Sequence, residues 1–370
     1  MPDALIVVWN DGQSARFPAL WLRDCRAEDR DPHSGQRLID IADLPDEPRI
    51  RAARAANGGL ELEFEGEPSA CHYAADWLHE HALGASERRP ELRTNLWLNG
   101  AERDALREHA WLDYTSFMAA PASRLSWLIR LAQDGIAFLA GVPSREGAIV
   151  EACAQMGRVA ETNYGLLFEV RSVARPENLA YSDHGLGLHT DNPYREPVPG
   201  FQALHVLVSS PDGGESLFAD GLAIAEHLRS TDPAAFAVLT STPVPFQYRS
   251  ADADLYAERP LIQLSADGKV SAVHYNNRSI APLAPAGAAF AAFYPPYRRF
   301  AQLLREPRFQ LRRRLEDGEL VVFDNQRTLH GRTAFSSQRH PRHLQGCYLT
   351  RDSVYSEIGL LRRRMGENRQ

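Results

Sequence analysis

Apolar residues recur along this chain in two periods, and the change of period divides it. Near the N-terminus ALIVVW, the turn Asn10-Asp11-Gly12 and ARFPALWLRD predict a hairpin, because Asn/Asp-Gly supplies the positive φ that such turns need. GLELEFEG alternates apolar and acidic residues, the period of a half-buried strand. Ser69 ahead of CHYAADWLHEHAL predicts a short helix that ends at Gly84. Together these make a small β-rich domain over residues 1–85, and the polar segment ASERRPELRTN marks a linker over residues 86–100.

Residues 101–370 form the larger domain. PASRLSWLIRLAQDG places Leu125, Leu128, Ile129 and Ala132 at helical spacing and stops at Asp134-Gly135. IAFLAGVP predicts a buried strand, and REGAIVEACAQMG after Ser144 predicts a second helix ending at Gly157. From about residue 160 to 350 the pattern becomes short apolar runs between turn clusters: FQALHVLV, ESLFADG, VPFQYR, LIQLS, VSAVHYNN, ELVVFDN and RHLQGCYLT. Many short strands with Gly/Pro punctuation favour a sandwich or barrel over a parallel α/β sheet. Two helical insertions interrupt them. One is LAIAEHLR with TDPAAFAVLTS, capped at Thr231 or Asp232 with Pro233 in its first turn. In the other, AGAAFAAFYPPYRRFAQLLRE, Pro295-Pro296 predict a kink or break. The expected fold class is mostly β with helical insertions.

Composition narrows the function classes. A net charge of -7 over 370 residues argues against a nucleic-acid footprint, which needs a basic face. No stretch approaches the roughly 18 apolar residues of a membrane span, so a cytoplasmic protein is expected. Cys25, Cys71, Cys153 and Cys347 show no C-x-x-C pairing, which fits reduced thiols.

The chemistry centres on Leu188-His189-Thr190-Asp191. An imidazole and a carboxylate two residues apart on an extended chain share a face, so both can reach one metal ion. A H-x-D pair alone is also what a surface turn carries. A remote His330 in LVVFDNQRTLHGR completes two His and one carboxylate, a set that takes one face of an octahedral ferrous ion and leaves three positions open. Twelve residues later Arg342 opens RHLQGCYLT. A guanidinium grips a carboxylate with two parallel hydrogen bonds, which suits it to anchor a dicarboxylate co-substrate.

LWLRD, ADWL, DGIAFLAGVP, NLAY, HTDNPYREPVPG, GGESLFADG, NNRS, FDNQRTLHGR and RHLQGCY together resemble the γ-butyrobetaine hydroxylase-like members of the taurine and 2,4-D dioxygenase superfamily. The resemblance runs nearly the whole length. It implies a distorted double-stranded β-helix (jelly-roll) catalytic domain behind the small N-terminal domain, Fe(II) on His189, Asp191 and His330, and 2-oxoglutarate on Arg342, with O2 as the other co-substrate. It also implies a homodimer.

On the substrate side the resemblance implies an aromatic cage for a trimethylammonium group, at Tyr164, Phe168, Tyr181 and Tyr348. Each ring face gives a quaternary cation about 0.5–2 kcal/mol. Phe168 stands where the family often has tryptophan. Asn178 and Asn276 or Asn277 match positions that bind the substrate carboxylate, and Arg278 beside them suits a phosphonate equally well. Relatives commonly follow LRD with a C-x-C-x-x-C cluster and a later His that build a structural zinc site. Here LRDCRAEDRDPHSGQRL holds only Cys25, and Ser69 takes the later position, so no zinc is expected; Cys25, Cys71, His33 and His72 are the alternative ligand set. The expected activity is hydroxylation of a small zwitterion, γ-butyrobetaine to L-carnitine first. The alternatives are (trimethylamino)ethylphosphonate, aminoethylphosphonate or trimethyllysine as substrate, and a non-catalytic β-barrel binding module as a different class.

Overall fold

A computed structural model describes residues 3–82, 92–171, 184–283, 288–335 and 342–367. The chain forms two compact units, Met1–Arg93 and Thr94–Gln370.

In the first unit Ala4–Val8 and Ser14–Pro18 pair as a hairpin, and Ile50–Ala56, Gly59–Phe64 and Cys71–Ala74 form a three-stranded sheet. Phe17, Leu22, Leu62, Phe64 and Leu78 make its core. CHYA, expected as helix, is a strand that buries Cys71 and Tyr73 and exposes His72 and Ala74; the helix begins only at Ala75. Alternation over four residues decided the local structure against the preceding serine cap. The LRD segment is held by ion pairs: Arg23 and Arg26, both buried, each donate to Glu67 at 2.9 Å. Cys25, Cys71, His33 and His72 are not assembled into a ligand set, because among the described residues a single group of three such side chains comes close enough for one ion, and it lies elsewhere.

The second unit is built on two sheets. Seven strands run in the order Trp111–Asp113, Ile136–Ala140, Leu320–Asp324, Phe201–Val208, His343–Leu349 and Val159–Ala160, with Phe168–Arg171 also paired to His343–Leu349. Four run Leu186–His189, Thr328–Arg332, Ser216–Asp220, Leu311–Arg313. Phe138, Val206, Val321 and Phe323 of the first sheet pack with Phe218 and Leu311 of the second in one apolar cluster. Mostly β with helical insertions is therefore the observed class.

The helix Pro121–Asp134 ends on Gly135 in the left-handed conformation, φ 72°. Gly135 and the buried strand after it match the sequence reading; the helix expected after Ser144 is shorter, Ala148–Cys153. Asp232 caps Pro233–Ser241. The two prolines do not break their helix, which runs as Ala288–Arg305. Two missing N–H donors are outweighed by one face that buries Phe293, Phe300, Leu303 and Leu304.

The same packing buries His274, whose Nε2–H donates to Gln263 Oε1 at 3.0 Å. Burial, and then Arg259, push its pKa down to about 3. The unfolded chain takes up this proton near pH 6.5 and the folded one does not, so stability falls as pH drops from 6.5 toward 3. By pH 5 the loss is about 2 kcal/mol. A melting-temperature profile between pH 5 and 7.5 should become shallower in His274→Gln; a parallel profile refutes the assignment.

Candidate metal centre and active-site cavity

His189 ends the strand Leu186–His189, and His330 lies in Thr328–Arg332, directly opposite it in register. A separation of 141 residues in the chain thus becomes one cross-strand pair with ring centroids 4.3 Å apart. Asp191 reaches the same point from the loop after the strand. Its Oδ1 is 3.2 Å from His189 Nε2, and its Oδ2 is 3.9 Å from His330 Nε2. The ligand atoms of His189, Asp191 and His330 all lie within 4.8 Å of one another.

The loop is clamped on both sides. Asn325, fully buried, accepts from Asp191 N at 2.7 Å and donates to Asp191 O at 3.0 Å. Thr190 N donates to Tyr275 O at 2.7 Å, and Asn276 Nδ2 donates to Thr190 O at 3.0 Å. Fixed backbone on either side of the carboxylate sets its direction before any ion arrives.

The donor chemistry fits a ferrous ion. His189 Nδ1–H donates to Gly187 O at 2.9 Å, which leaves the Nε2 lone pair toward Asp191. Burial, and then His189, push His330 down to about 3, so at neutral pH it is an uncharged ligand. Burial alone would raise the Asp191 carboxyl, but His330 and His189 hold it below the usual carboxylate range. Two imidazoles and one carboxylate, without sulfur, are the facial set suited to iron(II).

The three residues line a cavity whose other walls come from both sheets. Gln202, Leu204, Leu344, Tyr348, Phe168 and Val170 project from one face of the large sheet, as their registers require. The small sheet contributes Leu186, Ser216 and Arg332. Arg342 is buried, and burial followed by Arg332 pushes its pKa down to about 9, so it remains charged at neutral pH. Gly214, at φ +67°, makes room for it: a Cβ there would lie 3.1 Å from Arg342 Cδ. Both guanidinium groups lie over the Phe335 ring, Arg332 at 5.1 Å and Arg342 at 5.6 Å.

Of the expected substrate residues, Tyr164, Phe168 and Tyr348 line this cavity, with Phe168 and Tyr348 centroids 5.1 Å apart. Gly346 permits that contact, since a Cβ would fall 2.3 Å from the Phe168 ring. Asn178 and Tyr181 lie outside the described residues. Asn276 and Asn277 do not line the cavity, contrary to expectation. Asn276 is occupied by Thr190 O and by Arg278 N, and the exposed Asn277 accepts from Tyr297 Oη. Arg278 does line it.

Sequence reading missed Gln202, Asn192, Asn325 and Arg332. Arg332 was within reach, because H-x-R on a strand puts it on the face of His330. Gln202 and Asn192 are buried in the cavity wall, and Gln202 Oε1 and Asn192 Nδ2 have no hydrogen-bond partner among the described residues. Such atoms take their partners from what the cavity holds.

Residues 103–348 match the taurine catabolism dioxygenase TauD, TfdA family, and residues 2–79 match the γ-butyrobetaine hydroxylase-like N-terminal family. γ-Butyrobetaine dioxygenase of Pseudomonas sp. (strain AK-1) is 37% identical over 96% of this chain and 93% of its own length. Trimethyllysine dioxygenase of Meyerozyma guilliermondii is 25% identical, covering 97% and 94%. The solved structure of asparagine oxygenase in complex with Fe(II), 2S,3S-3-hydroxyasparagine and succinate shares the fold, with a TM-score of 0.51 at 19% identity over 71% of this chain and 88% of that one. Among the described residues no helix is long and apolar enough to cross a membrane. Family match, near full-length similarity and a cavity built around two imidazoles and a carboxylate agree: this chain belongs to the TauD/TfdA dioxygenases, in their γ-butyrobetaine hydroxylase-like branch, and works with Fe(II), 2-oxoglutarate and O2.

Proposed function

We propose that this enzyme hydroxylates a small zwitterion with a quaternary nitrogen, γ-butyrobetaine to L-carnitine being the primary reading. The observation that carries it is the pairing, in one cavity, of the ring wall Tyr164, Phe168 and Tyr348 with the metal-ligand group. The relative at 37% identity adds support. His189, Asp191 and His330 hold Fe(II), and Arg342 takes the far carboxylate of 2-oxoglutarate in a charge-assisted pair. Bound iron supplies the oxidation: O2 and 2-oxoglutarate give succinate and CO2, and one oxygen atom enters a substrate C–H bond.

The protein's own residues aim and exclude. Ring faces favour a methylated nitrogen, since an N–H-bearing ammonium gives up more hydration on entering. Leu186, Leu204, Leu344 and Val170 keep water from the space between the rings and Arg342. Arg278 receives the anionic end, a task that the family resemblance also gives to Asn178. By the same resemblance the enzyme works as a homodimer, and its free cysteines fit the cytoplasm.

A second reading follows from Arg278, which is exposed at the cavity wall and whose charge reaches Asp191 and His330. A guanidinium at that end serves a phosphonate as well as a carboxylate. Succinate release measured against γ-butyrobetaine, (trimethylamino)ethylphosphonate, aminoethylphosphonate and trimethyllysine decides. The primary reading expects γ-butyrobetaine to give the highest kcat/KM; turnover no faster than the substrate-free rate sinks it, and a preference for a phosphonate installs the second.

A further inference from the structure

Family resemblance gives Tyr348 one task, a ring face for a cation. Its other end makes a different contact. Tyr348 Oη donates to Asp191 Oδ2 at 2.9 Å, from a side chain only 4% exposed. The two carboxylate oxygens are therefore inequivalent: Oδ1 faces His189 Nε2 at 3.2 Å, while Oδ2, 3.9 Å from His330 Nε2, carries the phenol hydrogen bond.

A carboxylate can bind a cation through one oxygen or through both. In a facial triad each residue takes one position, and a second Asp191 oxygen on the ion would occupy a place that 2-oxoglutarate or O2 needs. A hydrogen bond to an ionised acceptor is strong enough to bias that choice. We propose that Tyr348 is a positioning residue for the metal-binding carboxylate: its hydroxyl engages Oδ2, so that Asp191 presents Oδ1 alone to the ion.

The strand makes the aim precise. Tyr348 sits in the His343–Leu349 strand with Gln202 opposite on one side and Ala160 on the other. Phe168, resting over Gly346, packs against its ring. One side chain thus borders the substrate space with its face and the metal carboxylate with its edge, so a substrate seated on the ring and an ion held by Asp191 share a support. Outer partners of this kind orient ligands and tune the ion.

The inference rests on the assignment of Asp191 as an iron ligand. Tyr348→Phe keeps the ring and removes the hydroxyl. Anaerobic Fe(II) titration, and the charge-transfer absorption of the protein with Fe(II) and 2-oxoglutarate, read the ion without substrate or turnover. Fe(II) binding should weaken by about 10-fold with an altered absorption band. Substrate affinity should fall less than in Tyr348→Leu, because the ring face is retained. Tyr348→Leu, which lacks ring and hydroxyl, should lose Fe(II) affinity to the same degree and substrate affinity besides. Unchanged Fe(II) affinity and an unchanged band in either folded variant overturn the inference. Asp191→Ala separates the two levels: if it binds Fe(II) like the parent, the ligand assignment fails; if it does not while Tyr348→Phe does, only the role of the hydroxyl fails.

Discussion

In Asp191→Ala, Fe(II)-dependent succinate release is expected to fall by about 1000-fold or more, beyond the 10–100-fold that follows loss of a mere outer partner. The carboxylate is the single anion of the metal-ligand group. Alanine leaves two imidazoles with no anion to balance a dipositive ion, and it also removes the acceptor of the Tyr348 hydroxyl. Asp191→Glu tests position apart from charge: one extra methylene keeps the anion and moves it relative to a backbone clamped by Asn325, so partial activity is expected. Succinate release at saturating 2-oxoglutarate, with metal content measured on the same samples, checks both. Turnover in Asp191→Ala within about tenfold of the parent would remove Asp191 from the centre.

The second large effect is on stability. Arg327 precedes His330 by three residues, in the turn between the strands Leu320–Asp324 and Thr328–Arg332. It is 3% exposed, and its Nη2 donates to Asp220 Oδ2 at 2.7 Å and its Nε to Oδ1 at 3.3 Å. Its remaining donors reach Gln133 O and Asn95 O. Asp220 is equally committed: it caps the helix Gly221–Thr231 at Leu222 N and Ala223 N, and accepts from Trp97 N at 3.1 Å. Arg327→Met strands a buried carboxylate, and the expected loss is about 3–5 kcal/mol. For a unit of this size that is a fall in melting temperature of about 10 °C. The double variant Arg327→Met with Asp220→Asn should recover part of it, since the uncompensated charge is gone while an amide oxygen still accepts at the helix cap. Denaturant unfolding of the parent, both single variants and the double variant measures the cycle, and an Arg327→Met loss below about 1 kcal/mol would show that the pair contributes little to stability.

Much of this was legible in the chain itself. Strand period and turn chemistry announced a β-rich catalytic unit, and Gly135 and Asp232 sit at the helix boundaries where their residue types belong. The metal ligands were legible because a ferrous site restricts its donors to few residue types. Errors fell where two local signals competed. Ser69 suggested a helix cap and CHYA took a strand; Pro295-Pro296 suggested a break and the apolar face of the helix prevailed. The asparagines after Tyr275 were the right residue type in the wrong place: Asn276 is drawn into the Thr190 loop, and Arg278 faces the cavity instead.

By itself, the sequence determined which side chains each short segment can present together, as with His189 and Asp191, because that depends only on backbone period. Tertiary structure alone decided which distant segments meet: that His330 faces His189, that Gln202 stands opposite Tyr348, and that the Tyr348 hydroxyl ends on Asp191 Oδ2. Strand pairing between distant segments is chosen by the burial of whole sheet faces, a sum over many residues that no short motif contains.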